Sequence, residues 1–142
     1  MLDGILSGEI YQVLEKAMNA STMQHRVISN NIANVNTPGF KASEVVFQNK
    51  LDKVINSREA DFLPLKTTHS RHIPIEEAMT LDMIRPEIIT RNETSLRNDD
   101  NNVDIDSEMA RMAENTAYYS SLAQLTSGKL SGLRSVITDG RQ

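Results

Sequence analysis

The chain contains no cysteine and no tryptophan. Without thiols there is no disulfide framework, no thiolate metal site and no cysteine nucleophile. Aromatic residues make up 4% of the 142 positions, three Phe and three Tyr, so the large anchors that dominate burial energetics are scarce. Apolar residues total 39%, a thin supply for one domain of this length, and the expectation is a fold that neighbours complete. No apolar run approaches the roughly 18 residues of a membrane-spanning helix. The opening MLDGILSGEIYQVLEKA lacks a basic leader and is interrupted by Glu9 and Glu15, unlike a secretory signal. By composition alone the chain reads as cytoplasmic.

Charge of one sign is also missing in any concentrated form. Basic and acidic residues run six against six over 1–60, five against six over 61–98 and four against seven thereafter, for a net −4. With no cluster of Lys or Arg there is no electrostatic footprint for nucleic acid or an anionic membrane surface.

What the chain does have is helical periodicity at both ends. From Ile10 onward, Ile10, Leu14, Ala17, Ser21, Ile28, Ile32 and Val35 recur at threes and fours, which is an amphipathic helix. It must stop near Val35 or Asn36, because Pro38 drives Thr37 to extended backbone and Pro38-Gly39 suits a type II turn. At the other end Ile105, Met109, Met112, Thr116, Tyr119, Ala123, Thr126, Leu130, Leu133 and Ile137 alternate by four and three, a coiled-coil seam. Asp104 or Asp106 is the expected N-cap. Thr116, Ala123 and Thr126 are small or polar, so the seam suits a bundle of several helices better than an isolated pair.

The fold class predicted is mainly α, two long terminal helices packed antiparallel as a coiled coil or bundle, with a short extended, β-containing middle. The expected divisions are 1–36, 37–103 and 104–142. Within the middle, Ser43 is a candidate N-cap ahead of Phe47, Leu51, Val54 and Ile55. Pro64, Pro74 and Pro86 break the rest into short extended pieces, expected to contact adjacent subunits.

Sharper chemistry is not supported by spacing. Asp100, Asn102, Asp104 and Asp106 alternate like the start of a calcium loop, but Ile105 stands at the sixth position and Arg111 at the twelfth, where Gly and Glu belong. His69 and His72 lie beside Pro74 with no helix to align them, and read as solvated or interface histidines. Thr126-Ser127-Gly128-Lys129 sits mid-helix instead of at a strand-to-helix turn, so it is no phosphate loop. Asn19-Ala20-Ser21 and Asn92-Glu93-Thr94 match glycosylation acceptors only formally. Carboxylates abound without a convergent site, and no enzyme, metal or cofactor is expected.

Asn30-Asn31-Ile32-Ala33-Asn34-Val35-Asn36-Thr37-Pro38-Gly39-Phe40-Lys41-Ala42 resembles the N-terminal signature of flagellar rod and hook axial proteins. Asn101-Asn102-Val103-Asp104-Ile105-Asp106-Ser107-Glu108-Met109, followed by Ala113-Glu114-Asn115 and Tyr118-Tyr119, is similar to the C-terminal region of the FlgB-type branch, as is the chain length. Where that branch has Asp-Gly-Asn, this chain has Asp99-Asp100-Asn101, so Asp100 or Asn101 must supply any left-handed conformation.

The resemblance implies a structural subunit exported unfolded by the flagellar type III apparatus and polymerised at the base of the hollow shaft beyond the cytoplasmic membrane. It implies as partners further copies of the chain, rod proteins of the FlgC, FlgF and FlgG types, the basal adaptor FliE, and MS-ring and export-gate components. Rival readings are the sister FlgC type and a soluble helical-bundle adaptor. Expected assembly residues are Ile28, Asn30, Asn31, Ile32, Asn34, Val35, Asn36, Pro38, Gly39 and Phe40, with Met109, Met112, Tyr119, Leu130, Leu133 and Ile137. Ile28, Ile32 and Val35 are expected to bury against C-terminal helices through Met112, Tyr119, Leu130 and Leu133.

Overall fold

A computed structural model describes residues 8–59, 81–92 and 98–139. In chain order these form α1 (Glu9–Ala33), β1 (Ser43–Val46), α2 (Gln48–Glu59), a single 3-10 turn (Leu81–Met83), β2 (Glu87–Thr90) and α3 (Ile105–Asp139). The architecture is the mainly helical one expected, with two long terminal helices and a two-stranded antiparallel sheet between them. At 1.5 Å per residue α1 is about 37 Å long and α3 about 52 Å. The expected readings at Pro64, Pro74, His69, His72 and Glu93-Thr94 lie outside the described residues.

The helices start and stop where local chemistry requires. Helix α1 tightens at its end, the Asn34 N–H donating to the Asn30 and Asn31 carbonyls and the Val35 N–H to that of Ile32. The chain then turns as expected, with the Phe40 N–H donating to the Thr37 carbonyl at 3.3 Å and Gly39 at φ +73°. Helix α3 opens on Asp104, whose Oδ1 accepts from the Asp106 N–H at 3.0 Å and faces the Ser107 N–H at 3.5 Å. That is an N-cap, and it satisfies donors that the first helical turn leaves without partners.

The two long helices are antiparallel. Asn31 meets Glu108, Ser21 meets Asn115, and the Thr126 hydroxyl donates to Met18 Sδ at 3.6 Å. Ser21 and Asn115 bond reciprocally, Ser21 Oγ donating to Oδ1 at 2.8 Å and Asn115 Nδ2 donating to the Ser21 carbonyl at 3.0 Å.

The hydrophobic core forms where α1, α3 and the middle segments meet. Leu14, Ala17 and Ala20 pack with Phe47, Leu51 and Val54 from the β1–α2 region, with Leu81 and Ile84 from around the 3-10 turn, and with Leu122 of α3. Lys16 Nζ secures that corner by donating to the Ile84 carbonyl at 3.1 Å.

One expectation is corrected. Ser43 is not a helix cap: it begins β1, opposite Thr90, and α2 starts only after Phe47, whose carbonyl accepts from the Lys50 and Leu51 N–H groups at 3.0 Å. The described part of the middle also packs on its own chain. Phe47, Val54, Leu81 and Ile84 are apolar side chains that α1 of the same chain buries.

Candidate assembly site: an asparagine clasp and the open faces of α3

The two sequence signatures meet. Asn101 is fully buried, and its Nδ2 lies 2.9–3.0 Å from three carbonyls, those of Asn34, Val35 and Thr37, where α1 has unravelled. Its Oδ1 accepts the Val103 N–H at 2.8 Å, which fixes the orientation of the amide. Helix C-termini leave carbonyls without intrahelical partners. In the turn past α1 the Asn34 and Thr37 carbonyls already accept the N–H groups of Thr37 and Phe40, and Asn101, from 60-odd residues downstream, adds a second donor to them and a donor to Val35. Asp100, at φ +58°, is the residue that turns the chain into place, and Lys41 Nζ donates to its carbonyl at 2.8 Å. Gly39 closes the other side, its N–H donating to the Asp99 carbonyl at 2.8 Å.

Two further asparagines act as surrogate peptide groups. Asn31 Oδ1 accepts the Ser43 N–H at 3.0 Å while its Nδ2 donates to the Ser43 carbonyl at 2.8 Å, as a neighbouring strand would. Asn102 bridges the end of the sheet, Oδ1 accepting the Ala42 N–H at 2.7 Å and Nδ2 donating to the Arg91 carbonyl at 2.8 Å.

Beneath them sits a charge cluster. Glu108 is 2% exposed, 2.5 Å from Arg91 Nη2 and 3.0 Å from Asn31 Nδ2. Glu44 and Arg111 complete it, Arg91 Nε lying 3.5 Å from Glu44 and Arg111 Nη1 3.7 Å from both carboxylates. Two cations and two anions thus neutralise each other across α3, β1 and the residue after β2. A buried charge is tolerated only when paired and hydrogen-bonded in this way. Outside the cluster, Lys50 Nζ donates to Glu87 at 2.6 Å; that hydrogen bond, then the ammonium charge, holds the Glu87 carboxyl below the usual range.

The expected assembly residues divide into two groups. Ile28 and Asn31 are buried within the chain, and Ile32, Asn34, Val35 and Phe40 are half-buried around the clasp. Asn30, Asn36, Pro38 and Gly39 are exposed on its rim. On α3, Met112 and Leu133 are half-buried, whereas Met109, Tyr119, Leu130 and Ile137 are 40–59% exposed. The antiparallel register sets Leu130 and Leu133 beyond the Met18–Thr126 contact, at the opposite end of α1 from Ile28, Ile32 and Val35. Within one chain these groups do not meet.

Helix α3 turns a different stripe toward α1 from the one its apolar spacing marks. Glu108, Asn115 and Leu122 face inward, about one residue out of phase with Met109, Thr116 and Ala123, and of the expected seam Thr126 also reaches α1, at Met18. Sequence reasoning missed Glu108, Arg91, Asn101 and Asn102 as organising residues. The signal available was their polarity beside the apolar Val103, with amides clustered at both signatures.

An open groove of about 570 Å³ runs between α1 and α3, floored by small residues such as Ala17, Ala20 and Ser21 and walled by Asn115, Tyr118 and Ser121. Among the described residues no cluster of His, Asp and Glu could hold a metal ion, and no helix is long and apolar enough to cross a membrane.

Comparison with known proteins matches residues 12–41, most of α1 and the turn behind it, to the family model described as flagella basal body rod protein. The Bacillus subtilis flagellar basal body rod protein FlgB is 36% identical over 96% of this chain and 98% of its own length. FlgB of Escherichia coli is 31% identical over 99% of both, and FlgB of Yersinia enterocolitica 30% identical over 98% of this chain and 97% of its own. End-to-end similarity of this extent, with the family signature lying on the α1 end of the clasp, shows that the chain belongs to the FlgB family of flagellar basal body rod proteins.

Proposed function

We propose that the chain is a non-catalytic building block of the proximal rod, polymerising with copies of itself and with rod proteins of the FlgC, FlgF and FlgG types. At the base it would meet FliE and the MS-ring and export-gate components, after delivery in unfolded form by the flagellar type III apparatus. The observation that carries this reading is the unburied apolar surface of α3. At 100° per residue, Ile105, Met109, Leu130 and Ile137 fall on one flank of the α1 contact and Leu125 and Val136 on the other, each 45–71% exposed. Exposed apolar surface of this extent on both flanks marks contact sites. A helix with three contact faces suits an interior position in a tube wall, where torque passes through lateral contacts and open-ended association extends the shaft.

Leu130→Asp tests it. The side chain is 48% exposed, so the isolated fold should survive, while incorporation into the rod is lost and export persists. Normal rods built from Leu130→Asp subunits would sink the proposal. Deleting the gene should remove the rod and leave the membrane-embedded ring in electron micrographs of basal bodies.

A further inference from the structure

The two edges of the β1–β2 sheet are finished differently. The Arg91 N–H donates to the Ala42 carbonyl at 2.8 Å, so with the observed register Ala42–Arg91, Glu44–Ile89 and Val46–Glu87 are the inward-bonding pairs. Ser43 and Val45 therefore direct their backbone groups away from β2, and α1 meets them: Asn31 bonds both groups of Ser43, and Gln24 Oε1 accepts the Val45 N–H at 3.1 Å. On the opposite edge Ile88 and Thr90 direct their N–H and C=O groups away from β1. Among the described residues nothing bonds to those groups. All four residues of β2 are exposed, Ile88 by 53% and Ile89 by 39%. A free, apolar strand edge is a template for another strand.

We propose that β2 pairs antiparallel with β2 of a second copy of this chain, about a two-fold axis at Ile89, joining two hairpins into one four-stranded sheet. The register follows from the backbone. Outward-bonding residues must face one another, and a two-fold at Ile89 sets Ile88 of each copy opposite Thr90 of the other, for four new backbone hydrogen bonds. It also sets Glu87 of each copy opposite Arg91 of the other, so no like charges face one another while the Arg91 guanidinium stays on Glu108. Moving the axis to Ile88 would set Arg85 against Arg91 and Pro86, which has no N–H, against Thr90. Moving it to Thr90 carries half the pairing beyond the strand. The sequence of this short edge is thus complementary to itself in the register its exposed backbone requires. Such a contact is isologous and closes at two copies. It is independent of the open-ended contacts proposed for α3. Four residues per strand bury less than the roughly 1,200 Å² of a stable interface, so the pairing is weak and rises with concentration.

The absence of native cysteine makes the test clean. In an Ile89→Cys variant the two-fold sets the introduced thiols in a non-hydrogen-bonded pair with Cα atoms about 4.5 Å apart, within disulfide range. Under mild oxidation of the full chain, Ile89→Cys should yield a linked dimer faster than Thr90→Cys, whose thiols the two-fold keeps apart. Adding Ile88→Pro removes an outward N–H without touching the ladder to β1; it should abolish the Ile89→Cys dimer while leaving the far-UV circular dichroism unchanged. Equal cross-linking of Ile89→Cys and Thr90→Cys overturns the proposal, as does a folded Ile88→Pro variant that cross-links undiminished. Should the proline variant lose its structure, the comparison of the two single cysteines decides.

Discussion

Replacing Asn101 by aspartate inverts the chemistry of the clasp at nearly constant shape. Nδ2 carries two hydrogens and serves three carbonyls, and Oδ1 accepts one N–H. Alanine at this position removes about three effective hydrogen bonds in a fully buried site, each contributing on the order of 1 kcal/mol, so Asn101→Ala should cost roughly 3 kcal/mol. Aspartate keeps the acceptor for Val103 but turns a carboxylate oxygen toward three carbonyls at the negative end of α1. The repulsion and the buried, unpaired charge should make Asn101→Asp costlier than alanine, by about 4 kcal/mol or more at neutral pH. The sign with pH follows: the folded state disfavours the charged form and raises the carboxyl pKa above its unfolded value. The aspartate variant should therefore recover toward the alanine value as pH falls, because the protonated acid can donate one hydrogen bond. Urea unfolding of the purified chain followed by circular dichroism measures both variants. At a few degrees per kcal/mol for a chain of this size, Asn101→Ala should melt about 10 °C lower. An aspartate variant as stable as alanine, or more so, would refute the donor role assigned to Nδ2.

Other perturbations probe separate links. Glu108→Ala leaves Arg91 without its nearest carboxylate and should cost about 3 kcal/mol or more, whereas Arg91→Leu with Glu108→Leu should recover much of that loss in thermal melts. Asp100→Gly relieves a left-handed backbone and should raise stability by up to about 1 kcal/mol; a lower melting temperature would contradict the assignment of strain there. Gly39→Ala meets no atom within 4 Å, so its cost should be conformational alone, about 1 kcal/mol, with impaired rod assembly visible as reduced swarming.

Much of the fold was legible because single residues dictate it. Pro38-Gly39 makes the turn behind α1, which closes at Ala33, two residues before the expected Val35; Asp104 begins α3, and the missing glycine at Asp100 announced a left-handed residue that is present at φ +58°. The buried stripe of α3 was not legible, because its apolar residues spread over more than one face and the chain buries the flank carrying Glu108 and Asn115, polar residues that only tertiary partners make acceptable. Glu44 within β1 and Arg91 just past β2 are likewise charged, and nothing in their local sequence says that they neutralise Arg111 and Glu108. Ser43 is a good helix-cap residue overruled by pairing with Thr90 and by the amide of Asn31. The composition suggested a thin core, and what one chain supplies depends on small residues, Ala17 and Ala20, that let Phe47 and Val54 pack on α1.

The clasp also sets the order in which the chain can become structured. Its contacts span 60 residues between Ala42 and Asn102, 67 between Asn34 and Asn101, 77 between Asn31 and Glu108, and 94 between Ser21 and Asn115. Whichever end leads through a narrow passage, none of these can form until the opposite signature has emerged. The first closure of a loop this long costs roughly 4 kcal/mol beyond a constant, and later contacts in the same cluster add little further loop entropy. Under the delivery in unfolded form proposed above, the two signatures would work as the halves of a latch on one thread, open until both have emerged.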